Sequence, residues 1–227
     1  MEATPTHTAT EEDRELYQAD AGMTSLVSYP QRCNEWGDWS YRGNCDGRLF
    51  LNLVLRYQAK RVADPMMGSG TTRDVVAGLN EKTHHRVDYW GSDLHEGFDL
   101  STMSLPGTFD FVWLHPPYWN IIRYSDDQRD LSTSATYQHF VERLTTCVQR
   151  CYQALTVGGR LAVLVADVRR QGAYFPIVRE VLNLEGAVGS LRSIIIREAH
   201  NCWSDRIVYR PMEDVPIQHE YCVVFKK

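Results

Sequence analysis

Six short apolar runs, separated by stretches of helical spacing, most constrain how this chain folds. RVADP (61–65), YWGSDL (89–94), FDFVWLHPP (109–117), RLAVLVADV (160–168), Leu191–Arg197 and Tyr221–Phe225 have a strand's length and its β-branched or aromatic content. Before the first and between the others lie helical patterns: RLFLNLVLRYQ (48–58), Thr72–Leu79, Tyr174–Leu184, and Thr136–Leu155. The last carries Phe140, Leu144, Val148, Cys151 and Leu155 on one face, and Gly158–Gly159 ends it. Strands alternating with helices predict an α/β fold, a mostly parallel sheet with helices on both faces.

The 227 residues allow one catalytic-size domain, expected over 25–227, behind a polar lead at 1–24 in which Thr10 caps a short helix. Residues 26–47 read as a loop carrying Trp36, Trp39 and Tyr41. No apolar run reaches the ~20 residues of a membrane helix, and the acidic start lacks a signal peptide's pattern, so a cytoplasmic location without membrane contact is expected. The six cysteines show no CxxC pair or zinc-ligand spacing, which predicts reduced thiols and no metal site. Net charge is −5, but the lead holds six acids against one base. The rest is balanced, and 20 of the 24 bases are Arg, whose planar fork suits phosphates. Charge therefore argues only weakly against a nucleic-acid partner.

Two strings carry chemistry. In the first, strand 61–65 delivers Asp64, and Pro65-Met66-Met67-Gly68-Ser69-Gly70-Thr71-Thr72 turns into a helix. Gly68 and Gly70 permit a tight turn and close approach of a ligand, and the helix start offers N–H groups to a carboxylate. The string is neither GxGxxG nor a lysine-bearing P-loop. In the second, His115-Pro116-Pro117-Tyr118 follows strand 109–114, where open α/β sheets bind ligands. Prolines lack an N–H, so this turn presents carbonyls in a rigid shape. Asp93 ends the next strand where a carboxylate typically meets ribose hydroxyls, and Asp99 lies just beyond.

DPMMGSGTT closely resembles the S-adenosylmethionine-binding motif of the amino-group DNA methyltransferases, which modify adenine N6 or cytosine N4. HPPY resembles their [DNS]PP[YFW] catalytic motif. The resemblance covers roughly 40–227 and implies a single Rossmann-like methyltransferase domain with a seven-stranded sheet. It also implies S-adenosyl-L-methionine as cofactor and DNA as partner. By similarity Asp64, Pro65, Met66, Gly68, Ser69, Gly70, Thr71 and Thr72 hold the cofactor with Asp93 and Asp99, and His115, Pro116, Pro117 and Tyr118 carry catalysis. Tyr41–Asn44, with Gly43 and Asn44, looks like the element that closes over the cofactor, with Trp36 and Trp39 as flanking candidates.

An exocyclic base amine is a poor nucleophile, because its lone pair is delocalised into the ring. Acceptors on its hydrogens localise that pair and aim it at the methyl donor. Position 115 supplies one acceptor and Tyr118 a stacking face, once the base has left the duplex. His115 departs from the family's Asp, Asn or Ser. A neutral His accepts through one ring nitrogen and a cationic one does not, so activity is expected to need neutral His115. The change leaves adenine against cytosine open, with adenine N6 favoured. An RNA-base methyltransferase, a small-molecule methyltransferase and an inactive cofactor- or nucleic-acid-binding module stand as alternatives. Candidate nucleic-acid contacts are Trp119–Ser134, with Trp119, Arg123, Tyr124 and Arg129, and Ala199–Pro216, with Trp203, Arg206 and Arg210. Little room remains for a recognition domain. A small solitary enzyme of plasmid or phage type with low sequence specificity is expected.

Overall fold

Strand alternation sets the architecture. In β2 (Arg61–Asp64), β4 (Phe109–Leu114), β5 (Leu155–Val165) and β9 (His219–Lys226), successive residues are buried on opposite faces of one sheet. Ala63, Val112, Leu114, Leu161, Val163 and Val223 enter one core; Val62, Phe111, Trp113, Ala162, Leu164 and Val224 enter the other. A sheet apolar on both faces needs helices on both. The computed structural model, which describes residues 11–200 and 213–227, supplies them. α2 (Arg48–Arg56) and α3 (Thr71–Lys82) bury Phe50, Leu53, Val75 and Leu79 in the second core; α4 (Tyr137–Gln153) and α5 (Ile177–Leu182) bury Phe140, Leu144, Ile177 and Val181 in the first. A short helix α1 (Glu11–Leu16) precedes them.

With β1 (Leu26–Ser28), β3 (Asp88–Gly91) and β8 (Ser190–Glu198), the sheet has seven strands in the order β1-β8-β9-β5-β4-β2-β3. It is a mixed sheet: β9 runs antiparallel to both β5 and β8, and the other pairs are parallel. β8 and β9 run antiparallel, whereas the consecutive pairs β2–β3 and β4–β5 are parallel because a helix, α3 or α4, carries the chain back between them. From β2 the chain crosses through α3 to β3 on one side, then returns to place β4 on the other. β2 and β4 are therefore parallel neighbours, Val62 beside Phe111, at the point where the winding reverses.

Several expectations are corrected. Residues 26–28 form strand β1 on the sheet edge, not loop, with Leu26 beside Ile196 and Ser28 beside Glu198. The expected helix at Tyr174–Leu184 begins only at Ile177, because Ala173–Phe175 (β7) pairs with Val168–Arg170 (β6) in a small hairpin. Gly158 and Gly159 do not end a helical region but lie inside β5, where the β4–β5 register shifts. There Phe109 faces Leu155 and Phe111 faces Arg160, so β5 carries three extra residues, and Gly158 takes a left-handed φ of +83° within them. The Thr10 cap falls outside the described residues. The five described cysteines are free thiols, and no metal-ligating cluster occurs among the described residues. No described helix is long and apolar enough to cross a membrane.

Candidate active site

The two chemical strings emerge from adjacent parallel strands at the same end, so they border one cleft of about 950 Å³, open mouth included. Asp64, Pro65, Met66, Gly68, Ser69, Thr71 and Thr72 line it from β2, and His115, Pro116 and Pro117 from β4. Asp93 and Asp99 line it from beyond β3, and Gly43 and Asn44 from the segment before α2. Gly70 is not on the wall. It caps α3 at φ +86°, a left-handed conformation that suits glycine.

Local hydrogen bonds explain the shape of the first loop. Asp64 is 2% exposed; its Oδ1 accepts from Met66 N at 3.1 Å and its Oδ2 from Thr72 Oγ1 at 2.6 Å. Burial pushes this carboxyl up to about 7, against the lowering effect of those two bonds. Gly68 is left-handed at φ +55°, and a Cβ there would stand 3.2 Å from the Tyr41 ring. The closing segment is thus drawn against the loop. Thr71 Oγ1 donates to Asn44 Oδ1, Asn44 Nδ2 donates to Asp38 O at 2.8 Å, and Gly37 N donates to Asp74 Oδ2 at 2.9 Å.

Two carboxylates stand across from this loop. Asp93 Oδ1 accepts from His95 N and Glu96 N, so the residue caps a short turn and points to the cleft at once. Its Oδ2 has no hydrogen bond among the described residues. Asp99 is buried and would be raised by that burial, but bonds from Ser101 and Thr102 hold it below the ordinary carboxylate value. Phe98 and Leu100 add apolar wall, Phe98 meeting Trp90 edge-on at 4.9 Å.

The proline turn opens onto a second, smaller compartment of about 390 Å³. It shares Gly43, Asn44, His115, Pro116 and Tyr124 with the main cleft and adds Tyr118, Ile121, Ile122 and Glu220. The ring of Tyr118 was expected to stack on substrate; its hydroxyl is also engaged, 2.9 Å from His115 Nε2 and donating to Glu220 Oε1 at 2.9 Å. Glu220 in turn accepts from Arg197. Burial pushes His115 down to about 4, with Glu220 opposing and Arg197 assisting, so the ring is neutral at physiological pH. Burial would raise Glu220, but the Arg197 guanidinium and the Tyr118 hydroxyl hold it below its ordinary value, and burial drives Tyr118 well above its own.

Of the expected substrate contacts among the described residues, Tyr124 and Arg129 border the main cleft, where Arg129 pairs with Asp127 at 2.7 Å. Arg123 is exposed, pairs with Asp126 and lines neither compartment. Trp119 is not free to stack. It is 8% exposed, packed edge-on against Phe175 and Tyr137, with Nε1 donating to Ser134 O. The turn after Tyr118 leaves Trp119 at φ +49° and sends its indole into the core. Trp36 is buried against Tyr17, away from the cleft, and Trp39 is 74% exposed. In Ala199–Pro216, residues 201–212, including Trp203, Arg206 and Arg210, lie outside the described residues. Reading the sequence alone missed Glu220 and Arg197 as site residues. The sequence offered only Glu220 near the start of β9 and Arg197 near the end of β8, on strands that also carry Arg192, Glu198 and Lys226, so nothing local singled the pair out.

No protein-family profile matches the chain, and no curated protein sequence matches it. Among solved structures it is similar to a provisionally assigned DNA modification methylase of Thermus thermophilus, complexed with S-adenosyl-L-methionine. The identity is 19% and the TM-score 0.39, over 74% of this chain and 55% of that one. It is also similar to a SAM-dependent methyltransferase of Methanosarcina mazei, at 10% identity and TM-score 0.43, over 77% of this chain and 96% of that one. A third is the N-methyltransferase NodS of Bradyrhizobium japonicum, in complex with S-adenosyl-L-homocysteine, at 9% identity and TM-score 0.42, over 83% and 89%. The chain spans about half the length of the Thermus protein. Likeness this distant transfers no activity, and the functional reading rests on the residues of the cleft.

Proposed function

We propose that this protein transfers a methyl group from S-adenosyl-L-methionine to the exocyclic amine of a base in DNA, adenine N6 being favoured. The observation that carries the reading is the meeting of the Asp64–Thr72 loop and the His115–Tyr118 turn at one cleft, on adjacent parallel strands where the winding reverses. The donor set fits the cofactor. Asp64 offers a buried carboxyl to a cationic ammonium, the glycine turn at Gly68 gives side-chain-free backbone, and Asp93 Oδ2 is open to a ribose hydroxyl. Phe98 and Leu100 give a purine ring apolar contact. When bound, the cofactor supplies a methyl group activated by a sulfonium.

The chain's own residues do the rest. Pro116 and Pro117 leave backbone carbonyls without a competing N–H, and neutral His115 adds a ring acceptor. Acceptors on both amine hydrogens hold the lone pair out of the ring and in line with the donor, which is catalysis by orientation. The second compartment, walled by Ile121, Ile122 and Tyr124, gives a flat base an apolar, aromatic bed after it leaves the stack. Arg129 at the rim suits a phosphate.

The test is transfer of methyl label from S-adenosyl-L-methionine to duplex DNA, single-stranded DNA and structured RNA. The reading expects label in DNA. Label confined to RNA overturns the choice of polymer, and label in none of them overturns the enzyme.

A further inference from the structure

His115 is neutral, yet a neutral imidazole has only one acceptor nitrogen, and the substrate amine needs that acceptor at the cleft. The structure contains the parts that decide which nitrogen it is. The geometry points to a hydrogen-bond relay, Arg197 to Glu220 to Tyr118 to His115, that locks His115 in the Nε2–H tautomer and leaves Nδ1 as its acceptor. This inference rests on the proposed function for its purpose, but not for its geometry.

Proton counting fixes the direction of each bond. Arg197 carries only donors, and it donates to Glu220 Oε2 in an ion pair whose side chains are 14% and 15% exposed. Glu220 is therefore held as a carboxylate, which only accepts. Tyr118 has one hydroxyl proton, and Glu220 Oε1 at 2.9 Å takes it. The Tyr118 oxygen then faces His115 Nε2, also at 2.9 Å, with nothing left to donate. Two acceptors do not bond, so the proton lies on Nε2. Nδ1 then holds the lone pair, and it has no hydrogen bond among the described residues. His115 borders both compartments, so its ring is part of the wall the substrate meets. Tyr118, Glu220 and Arg197 are in this respect positioning residues, acting on substrate through the ring of His115.

A change at Glu220 makes the relay run backwards. In Glu220→Gln, Arg197 still requires an acceptor, so the amide oxygen turns to it and the amide NH₂ donates to Tyr118. Tyr118 then donates to His115 Nε2, the proton moves to Nδ1, and the acceptor at the cleft is lost. Tyr118→Phe instead releases the ring from either preference.

Long-range ¹H–¹⁵N correlation spectra of the histidine rings at neutral pH test this, with His115→Gln assigning the signal. The expected wild-type result is a neutral Nε2–H ring. The Glu220→Gln protein is expected to show Nδ1–H and the Tyr118→Phe protein a mixture. In a methyl-transfer assay, Glu220→Gln is expected to lower kcat at least tenfold while leaving the KM for S-adenosyl-L-methionine within twofold. A wild-type ring that is Nδ1–H or cationic overturns the relay without any variant, and so does an unchanged tautomer in folded Glu220→Gln. Failure to transfer methyl groups by a wild-type protein with the Nε2–H ring would overturn the function and leave the relay standing.

Discussion

Asp64 sits where a carboxylate is least comfortable. Its pKa of about 7 lies above the ordinary carboxylate value because burial disfavours the charge. Between roughly pH 4 and 7 the folded chain keeps a proton at Asp64 that the unfolded chain has lost, so stability from this group declines as pH rises through that window. Asp64→Asn removes the decline; the drop in Tm between about pH 5 and about pH 8 is expected to be smaller in the variant than in wild type. A cationic ammonium facing Asp64 favours its charged form. Cofactor binding near neutral pH is therefore expected to release protons, measurable as a dependence of the calorimetric enthalpy on the buffer's ionisation heat, and Asp64→Asn should abolish that release and weaken binding. Tyr118→Ala, by contrast, is expected to reduce turnover tenfold or more with cofactor affinity nearly unchanged, read by titration beside a rate assay. At this scale the sequence exposed the two loops well, because glycines and paired prolines announce their backbone needs. It hid Glu220, which reaches Tyr118 from 102 positions away, since nothing local records a contact made across the sheet. It also misjudged Trp119, since the backbone turn that sends its indole inward leaves no mark in the sequence.

Elements were legible where burial imposed a long period. α4 buries Phe140, Leu144, Val148 and Cys151 in order along one face, as their spacing predicts, and Thr136 caps it by accepting from His139 N at 3.2 Å. Leu144→Ala is expected to cost about 2–5 kcal/mol in denaturant unfolding, since the side chain is 1% exposed amid a packed core. The glycine turn behaves differently. Gly68→Ala imposes a left-handed conformation on a residue with a Cβ, worth about 1–2 kcal/mol, and presses on Tyr41. Its loss of cofactor affinity should exceed its loss of stability, a comparison that titration and thermal melting make directly. Three-residue strands were not legible. Leu26–Ser28 has a single buried residue, Val27, and its strand state comes from pairing with β8, not from its own composition. The β6–β7 hairpin is equally short and splits a run that reads locally as a strand end followed by a helix.

The whole molecule follows from a reversal in winding. Alternating strands and helices specify an α/β sheet, but only the order β5-β4-β2-β3 puts two distant loops side by side, and that order is a tertiary fact. The antiparallel β9 likewise escaped a reading of periodicity, which is blind to direction. The most direct test of the central claim is mass spectrometry of nucleosides from DNA incubated with the purified protein and methyl-deuterated S-adenosyl-L-methionine. Deuteromethyl on adenine N6 is the predicted result. DNA nucleosides without any deuteromethyl amine, from a protein shown by titration to bind the cofactor, would contradict it.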